Sequence, residues 1–282
     1  MTEWNAVGYA EISGLQEAMA EEQLSLLTLS GQERILDVGC GNGKITAKIA
    51  ARLSAQAAGG TVLGTDSSQE MIAFAASHFA SSAYPNLRFE VADARSLPYR
   101  DEFDLVVSFN ALHWVVEQEQ ALRAIAQALK PAGRAILRFV SEGERQCIED
   151  VIEETRKSAR WSSYFQNFQQ PYRHFTPAQY RVLAEQSGLD TTSLRVKDEA
   201  WDFKSREAFT AFCRVTLVEW TRFLPEGERL AFVADVLDRY QRVAATTPAE
   251  ANTFKFYQIE LVLERRSLVR ERMAEVEIAS AR

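Results

Sequence analysis

An apolar run from Arg34 to Val38 breaks into Gly39-Cys40-Gly41-Asn42-Gly43, then resumes as an alanine- and isoleucine-rich helical pattern over Lys44 to Leu53. A strand that feeds a helix through three glycines narrows the fold more than any other feature of this chain. Glycine permits both the tight turn and a close approach of backbone to a ligand. Taken alone, the triplet also suits an ordinary tight turn. No lysine–serine pair follows the last glycine, which excludes a Walker phosphate loop.

The same rhythm repeats downstream. Gly59-Gly60 turns into a second strand, Thr61 to Thr65, and Ser67 stands three residues before Glu70, a capping box that predicts a helix to about Phe79. Leu87 to Val91 reads as a third strand and Phe103 to Ser108 as a fourth, nearly all apolar, as a strand covered on both faces should be. A helix over 117–130 ends at Lys130-Pro131-Ala132-Gly133, and Arg134 to Val140 supplies strand five. Alternation of this kind predicts an α/β, Rossmann-like fold with a mostly parallel sheet and helices on both faces. Right-handed crossovers then place a ligand crevice at the carboxyl ends of the strands.

Beyond residue 140 the pattern changes. Glu142 to Arg160 reads as helical, and an aromatic, polar segment runs from Trp161 to His174. Thr176 caps a helix over 177–187 with Pro177 in its first turn. A sixth strand falls within Ser193 to Phe203, helices follow over about 205–222 and 226–243, and Thr253 to Leu263 alternates as a seventh strand. The reading divides the chain into an N-terminal cover helix plus core (1–140), a cap or acceptor-binding insertion (141–175), the remainder of the core (176–266) with a helical insertion at 205–245, and a charged tail (267–282).

Charge and cysteine usage narrow the partners. A formal net charge of -7 argues against a nucleic-acid backbone as ligand, since phosphate binding favours a basic surface. The cysteines, Cys40, Cys147 and Cys213, form no CxxC pair, and with only His78, His113 and His174 beside them no metal site is expected. No stretch reaches 18 consecutive apolar residues, and the N-terminus lacks a basic region followed by an apolar run. The expectation is a cytoplasmic protein with a small-molecule partner, no membrane span, and an assembly state, monomer or homodimer, that the sequence leaves open.

Three aspartates fall at strand ends: Asp37 in strand one, Asp66 after strand two and Asp93 after strand three. A carboxylate after strand two can accept both hydroxyls of a ribose. A lone strand-end aspartate is more often a cap or a solvated turn residue. Three at one sheet edge beside a glycine loop weaken that reading.

Ile35-Leu36-Asp37-Val38-Gly39-Cys40-Gly41-Asn42-Gly43 resembles the first motif of class I S-adenosylmethionine-dependent methyltransferases. Gly64 to Ile72 resembles their second motif, Phe89 to Pro98 with its Ala92-Asp93-Ala94 core the third, and Phe103 to Trp114 the fourth-strand motif. Leu129-Lys130-Pro131-Ala132-Gly133-Arg134 resembles the turn before strand five, with Ala132 where Gly is usual. The resemblance implies a central seven-stranded, mostly parallel sheet with helical cap insertions, and S-adenosylmethionine as cofactor with no metal. It implies that Gly39, Gly41 and Gly43 pass under the methionine portion while Asp37 orients its ammonium group. Asp66 would take the ribose, Met71 and Ile72 would line the adenine pocket, and Asp93 and Ala94 would meet the adenine ring. Asn110 joins this cofactor set, and Tyr9 and Gln16 of the N-terminal helix would close over it.

On the acceptor side, Ser108 to Val115 leaves strand four and carries a His113-Trp114 pair. That pair resembles the small-molecule carboxyl methyltransferases, including the trans-aconitate, juvenile-hormone-acid and malonyl-carrier-protein enzymes. In that reading Trp114 walls an acceptor pocket, and His113 either donates a hydrogen bond to an acceptor oxygen or serves as a base. Plain packing is the competing role for both. Arg160, Tyr172, Arg173 and His174 of the aromatic segment are further acceptor candidates, the arginines because guanidinium binds both oxygens of a carboxylate. The expected activity is methyl transfer to a small molecule, most simply onto a carboxylate or other oxygen. N- or C-methylation, and a cofactor-binding regulator without turnover, are the alternatives.

Overall fold

The strands that the sequence marks as apolar assemble into one seven-stranded sheet in the order β3-β2-β1-β4-β5-β7-β6 in a computed structural model that describes residues 14–25, 27–56 and 59–266. The strands are β1 (Arg34–Val38), β2 (Thr61–Asp66), β3 (Leu87–Val91), β4 (Phe103–Phe109), β5 (Leu129–Ser141), β6 (Leu189–Asp202) and β7 (Thr253–Arg265). Pairings from β3 through β5 are parallel, while β7 runs antiparallel to both β5 and β6. The chain reverses direction across the sheet between β1 and β2 on one side and β4 on the other. That reversal opens a crevice at the carboxyl ends of β1 and β4.

Helices cover both faces because successive strand residues point to opposite sides. Leu36, Val38, Val106 and Leu137 turn to one face and are buried with Leu122 and Ile125 of α4 (Gln118–Ala128) and Tyr180 and Ala184 of α6 (Pro177–Gln186). Ile35, Leu105, Val107 and Ile136 turn to the other, against Ile49, Ala50 and Leu53 of α2 (Lys44–Ser54) and Leu24 of α1 (Gly14–Ser25). Each such aliphatic side chain contributes about 1.5–3 kcal/mol on burial.

A second core lies beyond the sheet edge. It joins Ile148, Val151 and Ile152 of α5 (Ile148–Arg156) with Trp161, Phe165 and Tyr172. Residues of α7 (Arg206–Thr216), α8 (Val218–Thr221) and α9 (Glu226–Ala244) complete it, and Phe254 and Phe256 of β7 form its floor. Two indoles in this cluster satisfy their N–H groups on carboxylates: Trp161 donates to Asp235 at 2.8 Å and Trp220 to Glu153 at 3.0 Å.

The local departures from expectation have physical causes. Ser68, not Ser67, caps α3 (Gln69–His78): its hydroxyl accepts the Met71 N–H at 3.3 Å, and Asp66 accepts the Ser68 N–H at 2.9 Å. The helix expected over 142–160 is only α5. Upstream of it, the Glu142 N–H donates to the carbonyl of Phe175 at 3.1 Å, and Arg145 lies over the ring of Tyr257 at 4.8 Å, so tertiary contacts hold this stretch out of helix. Thr176 caps α6 as expected, through a capping box with Gln179. The pattern over 205–222 divides into α7 and α8 at Leu217, and strands six and seven are longer than expected.

Candidate functional site

The glycine loop sits where β1 gives way to α2. Gly39 and Gly43 have φ of +77° and +78°, a region that L side chains rarely adopt. Space is equally restrictive: a Cβ on Gly39 would lie 2.2 Å from that of Ala111, and one on Gly43 would lie 2.7 Å from the Phe89 ring. The loop is pinned to β2 by the Gly39 and Cys40 N–H groups, which donate to the carbonyl of Thr65 at 2.7 and 2.9 Å. Asp66 adds a side-chain tie, accepting the Gly41 N–H at 3.0 Å.

The three strand-end aspartates differ in environment. Asp37 is buried and accepts the Thr46 hydroxyl at 2.7 Å; desolvation, reinforced by the negative charge of Asp66, pushes its carboxyl up to about 7. Asp93 accepts the Arg95 side chain at 2.6 Å, and that guanidinium holds its carboxyl below the ordinary range. Asp66 is only half-buried at the crevice edge. All three line one crevice of about 590 Å³, together with Gly39, Gly41, Met71, Ala94, Asn110 and Trp114. A volume of that size is typical of a small-molecule or cofactor site.

Ile72 and Gly43 are buried but do not line the crevice, and Gly43 lies beneath the loop against Ala75 and Phe89. Tyr9 lies outside the described residues, as does the side chain of Gln16. Phe109, Leu112 and Val115 do line the crevice and follow directly from the turn after β4, although none was singled out beforehand.

That turn also forms the wall between the crevice and a smaller cavity of about 110 Å³. Asn110, at φ +56°, lines both spaces, as does Trp114. Asn tolerates the left-handed region better than most residues, and here its side chain is fixed as well. Gln258 donates to its Oδ1 at 2.7 Å, while the fully buried Arg138 holds Gln258 and ion-pairs with Glu22 of α1 at 2.7 Å. The crevice wall is therefore built through β5 and β7 back to the N-terminal helix.

His113 faces the smaller cavity and is buried; its Nδ1 has no hydrogen-bond partner among the described residues. Burial, helped by the nearby His174, pushes its pKa well below the ordinary histidine value, so the ring is neutral near pH 7. Arg173 donates its backbone N–H to the His113 carbonyl at 2.9 Å, which fastens the aromatic segment to this turn.

The other acceptor candidates do not gather at either space. Arg160 lies over the Trp161 ring at 4.3 Å with Glu228 at 3.8 Å, and Arg173 lies over Phe175 at 4.5 Å. Both guanidiniums are thus engaged on aromatic faces and do not line the cavity. Tyr172 is buried behind Trp114, their ring centroids 6.5 Å apart. His174 approaches the Cys147 thiol at 3.7 Å, and Cys147, Glu149 and His174 each bring one potential metal-ligand atom to within 4.8 Å of one another. Glu149 is a cavity-lining residue that the sequence reading missed. Placed in a long surface helix, it looks like one of many solvated acids; with α5 starting only at Ile148, it turns inward.

The chain matches a methyltransferase-domain family model over residues 35–133. It is 27% identical to the trans-aconitate 2-methyltransferase of Deinococcus radiodurans, over 94% of this chain and 99% of that one. Among solved structures it is similar to phosphoethanolamine N-methyltransferase 2 of Haemonchus contortus, in complex with S-adenosyl-L-methionine (TM-score 0.60, 18% identity, covering 93% of this chain and 57% of that one). It is also similar to the cyclase SpnF, with a TM-score of 0.58, 20% identity, and coverage of 88% and 81%.

Proposed function

We propose that the chain is a class I S-adenosylmethionine-dependent methyltransferase and that it transfers a methyl group from that cofactor to an oxygen of a small molecule. The observation that carries this reading is the single wall, made by Asn110 and Trp114, that the two spaces share. The crevice ends, and the smaller cavity begins, at Asn110 and Trp114. A cofactor in the first and an acceptor in the second would meet there.

The residues present fit the cofactor by their own chemistry. A Cβ on Gly39 would close the loop against Ala111, and among the described residues no cation compensates the buried Asp37 carboxyl. Asp37 would receive the ammonium group and Asp66 the ribose hydroxyls, a carboxylate oxygen being able to accept more than one hydrogen bond. Met71 and Ala94 would border the adenine, with Asp93 at its edge. When bound, S-adenosylmethionine supplies an electrophilic methyl carbon on a sulfonium.

The protein's contribution is then position. Trp114 and the backbone of the turn hold the acceptor in line, and orientation of this kind supplies a large share of the rate. The neutral His113 ring can donate one hydrogen bond to an acceptor oxygen. The similarity to a trans-aconitate methyltransferase supports an oxygen acceptor, whereas the similarity to a cyclase favours, as a second reading, a cofactor-binding scaffold with other chemistry.

The test is equilibrium titration with S-adenosylmethionine and S-adenosylhomocysteine, followed by a methyl-transfer screen over acids, phenols, alcohols and amines. Saturable binding with transfer to oxygen is expected. Binding without any transferred methyl would favour the second reading, and no binding of either ligand would defeat both.

A further inference from the structure

The smaller cavity is largely apolar, and among the described residues nothing that lines it is positively charged. Side chains from α1, β5, α5, α7 and β7 converge on it: Leu15, Val140, Ile148, Phe212 and Phe254, with Leu217 beside them. Its polar lining is Asn110, His113, Glu149 and Thr216. Burial keeps the His113 ring neutral near pH 7, and amide, carboxyl and hydroxyl groups add no positive charge. The arginines of residues 141–175 are held elsewhere: Arg145 by Asp198, Arg156 by Glu153, Arg160 by Glu228 and Trp161, and Arg173 over Phe175.

Resting on the methyl-transfer reading above, we propose that this cavity selects acceptors carrying one oxygen group on a short apolar chain and rejects polycarboxylates. An apolar cavity of about 150 Å³ encloses a benzene ring, so one of about 110 Å³ holds roughly four or five non-hydrogen atoms. That is room for a short alkyl chain. The acceptor's oxygen belongs at the opposite end, at the wall that Asn110 and Trp114 share with the crevice. His113, whose Nδ1 has no partner among the described residues, gives the cavity one hydrogen-bonding position for it.

Charge separates the acceptor classes. In the methyl-transfer reading, one negative oxygen at the shared wall is balanced by the cofactor's sulfonium. A second carboxylate, carried inward, meets no cation among the described residues. Burying an ion without a partner lowers affinity by on the order of a thousandfold. Trans-aconitate, a tricarboxylate, is therefore excluded as the acceptor of this chain, despite the similarity to an enzyme named for it.

The experiment compares acceptors of equal size, hexanoate, 1-heptanol and succinate, with trans-aconitate alongside. Transfer to hexanoate or 1-heptanol is expected, with kcat/KM about a thousandfold above that for succinate and no transfer to trans-aconitate. Phe212→Ala enlarges the cavity and should shift preference from hexanoate towards octanoate, and from 1-heptanol towards 1-nonanol, by about tenfold or more. Phe212→Leu should shift it the same way by less, and unchanged S-adenosylmethionine affinity reports that each variant is folded. Titration of 1-heptanol into the S-adenosylhomocysteine complex reads the cavity without chemistry, and saturable binding with the same response to Phe212→Ala is expected. Succinate or trans-aconitate methylated as well as hexanoate would overturn the proposal. So would a chain-length preference indifferent to both variants, or no saturable binding of 1-heptanol. Saturable 1-heptanol binding without methyl transfer to any acceptor would instead sink the parent reading and leave the cavity's selection standing.

Discussion

The Oδ2 atom of Asp66 accepts the backbone N–H of Gly41 at 3.0 Å, so the acid at the end of β2 holds the loop at the end of β1. Its other oxygen accepts the Ser68 N–H at 2.9 Å and shapes the entry to α3. In the proposed reading, ribose recognition and loop geometry share one carboxylate. Asp66→Ala should weaken S-adenosylmethionine binding by about 10- to 100-fold, the scale of charge-assisted hydrogen bonds of roughly 1.5–3 kcal/mol. It should also cost about 1–3 kcal/mol of stability, more than a residue serving the ligand alone. Denaturant melts without ligand, paired with titration, measure both; a stability loss with unchanged affinity would remove Asp66 from the ribose site.

Asp37 makes stability and cofactor affinity pH-dependent in opposite directions. Its carboxyl is pushed up to about 7 from an ordinary 3.8, so the folded state binds the extra proton between those values. The stability this group contributes is fully present below pH 4 and is lost as pH rises through 7, by up to about 4 kcal/mol. A cationic ligand favours the ionised form, so affinity should rise between pH 6 and 8 with release of a proton. Calorimetric titration in buffers of different ionisation enthalpy counts that proton, and Asp37→Asn should abolish both trends.

Gly39→Ala tests the loop's close approach. The added methyl meets Ala111 at 2.2 Å in a backbone conformation disfavoured for alanine, and overpacking of this kind costs about 1–3 kcal/mol. The turn carrying Asn110 must shift, and cofactor affinity should fall at least tenfold. Gly39→Ala combined with Ala111→Gly should recover much of the loss; no recovery would mean that φ alone, not contact, sets the requirement.

Ala132 is strained for the opposite reason. It occupies φ +63° in the turn before the parallel part of β5, a position where the family motif carries glycine. Ala132→Gly should stabilise the protein by about 0.5–1 kcal/mol, with no effect on cofactor binding. A shift of the thermal midpoint downward would show that the exposed methyl is compensated elsewhere.

Much of the geometry of the larger crevice was legible because it is local. Strand ends, glycines and strand-end acids lie within a few residues of one another, and periodicity fixes which side of the sheet each faces. The acceptor side was not, because Glu149 reaches the cavity only after Glu142 and Arg145 have docked on Phe175 and Tyr257, contacts made across more than 30 and more than 100 residues of sequence. Arg160 and Arg173 misled for a related reason: charge identifies a guanidinium, but the aromatic face that holds it is a tertiary fact.

The long final strand has a consequence for how this protein can change. From Tyr257 to Glu264 it pairs with β5 inside the sheet, while Phe254 and Phe256, three residues and one residue upstream of that register, line the smaller cavity. The floor of the smaller cavity and the interior of the sheet are thus parts of one continuous strand. A cassette spanning 141–175 cannot be exchanged cleanly, because its floor belongs to another part of the chain. Acceptor range is accordingly open to drift by single side chains pointing into the chamber, and closed to wholesale replacement of its roof.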